Sequence, residues 1–159
     1  MAFWNNLNFT LKRKPKNPTE FVQRFIQDCK KSRVQLEIIR EDQVLIQVDS
    51  LRYTPSWFKI FKIDPEEFKN GYAIFFILDQ KELEKNQKYI ELKKSDLELL
   101  EHDEMLENTP IKTFVKFIKQ TNDPIKLGLE MKNIIDVIFK TNEKDPQALF
   151  NLRYLDVQG

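Results

Sequence analysis

The chain has 159 residues, a formal net charge of +1 and a composition that is 41% hydrophobic and 32% charged, with thirteen Phe, four Tyr and two Trp. That supplies one buried core without disulfide or metal staples and excludes global disorder. A single cysteine, Cys29, excludes an intrachain disulfide framework, the near-neutral charge gives the whole molecule no attraction to nucleic acid or anionic lipid, and no apolar run approaches the roughly 20 residues of a bilayer span.

Residues 1–17 form an amino-terminal arm in which Phe3, Trp4 and Phe9 precede Lys12, Arg13, Lys14 and Lys16, with no acid. Aromatics ahead of bases reverse the order of a secretory signal, so a cytoplasmic address without integral membrane association is expected. The remaining 18–159 read as one domain. Asn17-Pro18 opens it as a helix cap, since Asn accepts from a free helical N–H and Pro lacks an N–H that would have been orphaned anyway. Phe21, Val22, Phe25, Ile26 and Cys29 then recur at three- and four-residue intervals, which predicts one buried helical face.

From Val34 the period drops to two, through Val34, Leu36 and Ile38 and again through Val44, Ile46 and Val48. With the polar break at Glu41-Asp42 between them, this predicts an antiparallel hairpin. Trp57 to Ile63, the unbroken apolar run Tyr72 to Leu78, and Lys88 to Lys93 read as three further strands, the middle one buried on both faces. Ser95 with Glu98 reads as a capping box opening an acidic helix to about Leu106. Beyond Thr109 the pattern reads as all helix: Ile111, Phe114, Val115 and Ile118 on one face, then Leu127, Met131, Ile134, Ile135 and Ile138 after Asp123-Pro124, and a short last helix after Asp145-Pro146. The expected fold is α+β: an amino-terminal helix, a mainly antiparallel sheet of about five strands and carboxy-terminal helices packed on one face.

Three glycines, Gly71, Gly128 and Gly159, exclude a P-loop and a dinucleotide-binding glycine turn. One His and one Cys exclude a His/Cys zinc cluster, and no cofactor is expected. Cys29 lies on an apolar stripe as a small hydrophobe, and His102, flanked by Glu101, Asp103 and Glu104, reads as a solvated residue of the acidic segment.

Asp79 at the end of the apolar strand, with Glu91-x-Lys93 on the segment read as the next one, resembles the metal-dependent nucleases of the PD-(D/E)xK type, in which two carboxylates hold Mg²⁺ beside a Lys. The motif is cheap. Acid-x-Lys occurs five times in this chain, and no Pro-Asp precedes Glu91. The arm, with Trp4, Lys12, Arg13, Lys14 and Lys16, offers a second reading as a nucleic-acid-binding accessory protein.

The strongest segregation lies further on. Residues 95–108 carry Asp96, Glu98, Glu101, Asp103, Glu104 and Glu107 without Lys or Arg, and Lys112, Lys116 and Lys119 follow, on one stripe if the segment is helical. Exposed, these charges form a docking surface; packed together, they neutralise each other. The expected function is therefore a non-catalytic protein-binding protein, such as an adaptor, a dedicated chaperone or an immunity or inhibitor-type subunit, using Lys112, Lys116 and Lys119 or Glu98, Glu101 and Glu104. The expected partner is another protein, with nucleic acid or a second copy of the chain as alternatives.

Overall fold

The computed structural model describes residues 15–140 and 148–155. Among them, six strands form one fully antiparallel sheet, flanked by an amino-terminal and a carboxy-terminal helix, so the fold is α+β. Helix α1 (Pro18–Asp28) starts where the Asn17 side chain accepts from the Glu20 N–H at 2.9 Å, with Pro18 in the first turn. Its apolar stripe buries Val22, Phe25 and Ile26 as the spacing predicts.

Strands β1 (Arg33–Arg40) and β2 (Gln43–Ser50) pair as the expected hairpin. Glu41 and Asp42 both adopt positive φ, 53° and 62°, the two-residue turn whose twist suits flanking strands. The run Tyr72–Asp79 is β3, with both faces buried along most of its length. Asp79 ends it and caps the next helix, α3 (Gln80–Lys93), by accepting from the Glu82 N–H at 2.8 Å.

Several segments depart from the sequence expectation. Trp57–Ile63 is not a strand: Ser56–Ile60 is one short helix, α2, and its aromatics cover the sheet instead of joining it. Lys88–Lys93 is the end of α3, a helix whose Leu83 and Ile90, two turns apart, reach the core. The acidic segment is strand β4 (Leu100–Leu106), and the basic segment is strand β5 (Thr109–Ile118), joined by Glu107 and Asn108 at φ 49° and 67°. Helix α4 (Pro124–Ile138) forms as expected, with Asp123 accepting from the Ile125 N–H at 3.0 Å. The last described element is a strand, β6 (Leu149–Leu155), where a helix is expected from the sequence; Asp145-Pro146 lies outside the described residues.

The strand order is β4-β5-β3-β2-β1-β6. On one face α1 and α4 bury the main core, with Phe25, Leu36, Ile46, Ile74, Phe114, Leu127 and Ile134 at its centre. The other face, over β3 and β5, is covered by the segment from Leu51 to Phe68, whose Trp57, Phe61 and Phe68 meet Phe75 and Phe117 edge-on or tilted at centroid distances of 4.8 to 6.3 Å.

Candidate functional site

The charged segments meet each other. On β5 the even-numbered residues face the helices and the odd-numbered ones face the aromatic cover, so Lys112 and Lys116 share a side with Phe114. Lys112 lies 3.8 Å from Glu101 and 3.5 Å from Asp103 on the adjacent strand, in keeping with a register that sets Asp103 opposite Lys112. Lys94, at the end of α3, reaches Glu101 at 3.3 Å. Lys116, whose side chain is only 13% exposed, pairs with Glu130 of α4 and lies 3.9 Å from Glu98. Lys119 lies past the strand and approaches Glu67 at 3.6 Å, both well exposed. Glu104 faces the other side, near the Thr113 hydroxyl at 3.5 Å. Two of the three lysines therefore bridge elements within the domain, and the three do not form one helical stripe.

The residues of the nuclease-like pattern are not brought together. Asp79 opens α3 and spends a carboxylate oxygen on its cap, whereas Glu91 and Lys93 lie at its far end, about 18 Å along the axis at 1.5 Å per residue. Glu91 accepts from Gln87 and Lys93 approaches Asp96, both in solvent. No group of three or more His, Cys, Asp or Glu able to hold a metal occurs among the described residues. Cys29 is buried, donates to the Ile26 carbonyl at 3.3 Å, and has its thiol pushed up to about 11 by burial, the opposite of an activated nucleophile. His102 stands edge-on to Phe61 at 6.0 Å. Of the arm, Trp4, Lys12, Arg13 and Lys14 lie outside the described residues; the Lys16 N–H donates to the Glu20 carboxylate at 2.6 Å.

What the sequence reading missed is an apolar groove of about 420 Å³ between the start of α1 and the outer side of α4, lined also by Ala148 and Phe150. Pro18 and Val22 form one wall and Ile125 and Leu129 the other, and the latter two are 62% and 54% exposed although they are large and aliphatic. Gly128 leaves the space between the walls unfilled. A Cβ placed there would meet only Val22, at 3.9 Å. Lys132 and Asp136 on the rim pair with each other at 2.8 Å.

No family model, curated protein or solved structure matches the chain.

The groove was legible in one respect. Ile125 and Leu129 lie outside the stripe formed by Leu127, Met131, Ile134, Ile135 and Ile138, so α4 carries more apolar surface than one core face uses. Among the described residues, no helix is long and apolar enough to cross a membrane.

Proposed function

We propose that this chain is a non-catalytic protein-binding domain that receives an apolar segment of a partner protein in the groove between α1 and α4. The observation that carries this reading is the pair Ile125 and Leu129, exposed aliphatics facing Pro18 and Val22 across a gap that Gly128 leaves open. Its volume of about 420 Å³ lies within the range of pockets that bury a few large side chains. Its rim charges are already paired, so it offers a charged ligand no anchoring charge, while apolar area removed from water contributes about 25 cal/mol per Å². The lysines and acids of β4 and β5 stay outside this reading as a partner surface, because Lys112 and Lys116 already have intramolecular partners.

The test is selection from a displayed random-peptide library, followed by binding to wild type and to Leu129→Asp. Selected peptides should be rich in apolar residues and bind Leu129→Asp at least about tenfold more weakly, a difference of about 1.4 kcal/mol, with an unchanged melting temperature because Leu129 is exposed. Peptides that bind both proteins equally, or a selection that enriches none, would remove the groove from the account.

A further inference from the structure

The two edges of the sheet differ in what they offer a further strand. Edge strand β4 carries Glu101, Asp103 and Glu104 in seven residues, so a second β4 laid beside it meets like charge. Edge strand β6 has the sequence Leu-Phe-Asn-Leu-Arg-Tyr-Leu, with no proline and one charge, and among the described residues it pairs only with β1. Phe150, Leu152 and Tyr154 face the helices, while Asn151 and Arg153 face the opposite side.

Two further features lie on that opposite side. Glu37, opposite Asn151 on β1, is 6% exposed and, among the described residues, accepts only from amides, Asn151 Nδ2 at 2.8 Å and Gln47 Nε2 at 3.3 Å. Arg153 is exposed and takes part in no ion pair among the described residues. Among the described residues, a nearly buried carboxylate on β1 without an ion-pair cation and an exposed guanidinium on β6 without an anion thus stand diagonally across adjacent strands.

We propose that β6 pairs antiparallel with β6 of a second copy of this chain, about a two-fold axis at Leu152, giving one continuous sheet across a symmetric dimer. That register is self-complementary. It sets Phe150 opposite Tyr154 and Leu149 opposite Leu155, and it sets Asn151 opposite Arg153 twice. Each Arg153 then lies two strand spacings, roughly 10 Å between backbones, from Glu37 of the other copy, and diagonally across one spacing, roughly 7–8 Å, from Glu37 of its own, so the two-fold axis brings a guanidinium of each copy within reach of each carboxylate. The helices fit the same axis. Helix α1 touches both β1 and β6, tied to the latter by the Phe21–Phe150 ring contact at 5.9 Å and the bond from the Tyr154 hydroxyl to Asp28 at 2.6 Å. A helix above the gap between those strands lies about one strand spacing from the axis, so the two α1 helices come roughly 10 Å apart, the ordinary distance of packed helices. This inference does not depend on the groove being a binding site.

The experiment is sedimentation equilibrium of the full chain from about 1 to about 100 μM, a span that brackets micromolar association, for wild type, Asn151→Arg, Arg153→Glu and an equimolar mixture of the two variants. Wild type associates to a dimer. Asn151→Arg opposes two arginines across the axis and Arg153→Glu brings a carboxylate toward Glu37, so each variant alone weakens association at least about tenfold. The mixture restores it, because Arg at 151 in one copy meets Glu at 153 in the other, an outcome that mere damage to folding does not produce. Wild type monomeric throughout, a dimer indifferent to both variants, or variants that fail to recover on mixing would each overturn the proposal.

Discussion

The edge formed by β4 and the edge formed by β6 are both seven-residue antiparallel strands, yet they are held in opposite ways. Nearly all residues of β4 are exposed, and among the described residues it is fastened by its hairpin turn and by ion pairs from Glu101 and Asp103 to Lys112. β6 lies under α1, with Phe150, Leu152 and Tyr154 against the core. A sheet edge can thus be secured by charge or by apolar cover, and only the second kind places much free energy in packing, since exposed ion pairs contribute from nothing to about 1 kcal/mol each.

The sharpest way to break the comparison is to remove the apolar cover that α1 lays on the sheet. Phe25 of α1 is fully buried and lies 5.7 Å from the Tyr72 ring, so Phe25→Ala should cost about 3–5 kcal/mol, measured as the shift of a chemical denaturation curve. A midpoint equal to wild type would mean that α1 does not clamp the sheet.

On the other side, Lys116 and Lys119 provide an internal control. Lys116→Ala leaves Glu130 half-buried without its cation and should cost about 1–3 kcal/mol, whereas Lys119→Ala removes an exposed pair and should cost less than about 0.5 kcal/mol. Equal losses in thermal melts would contradict the assignment of Lys116 as a bridge between β5 and α4.

Tyr154 allows the attachment of β6 to be read by pH as well as by mutation. Burial and the hydrogen bond it donates to Asp28 push its hydroxyl upward, while burial pushes Tyr72 up to about 12 and Cys29 up to about 11. These groups hold their protons in the folded chain at pH values where the unfolded chain releases them. Their contribution is therefore fully present below about pH 9 and is lost as pH rises through the folded values. Tyr154→Phe should cost about 1–2 kcal/mol near neutrality and flatten part of that alkaline decline. Denaturation at a series of pH values would show an unaltered slope if the Tyr154–Asp28 bond were absent.

The smallest expected effect has the opposite sign. Gly128 has ordinary helical φ and space for a methyl group, so Gly128→Ala should stabilise the chain by about 0.5–1 kcal/mol while narrowing the groove. A loss of stability would show that the space beside Val22 is not open.

The first hairpin was legible because its strands alternate and its turn is polar. The second has the same kind of turn, yet Glu107-Asn108 is not singled out as one in a sequence reading: β4 has no buried face to create a period, and β5 is buried on both faces. Ile111, Phe114, Val115 and Ile118 consequently show the three- and four-residue spacing of a helix although Phe114 and Val115 point to opposite sides of the sheet. The nuclease-like pattern failed for a related reason, because the Asp79–Glu82 cap turns the following residues into a helix and carries Glu91 away from Asp79. Likewise the groove needs α1 and α4 side by side before Ile125 and Leu129 have anything to face.

By itself the sequence determined the two amphipathic helices, the first hairpin and β3, since each announces itself through its own cap, turn or period, and it determined the α+β class that follows from them. Tertiary structure alone decided that the acidic and basic segments are paired strands, that Ile125 and Leu129 line a groove, and that β6 is an edge opposite β4. Those are relations between residues far apart in the chain, and local periodicity reports how one element is buried without naming the element that buries it.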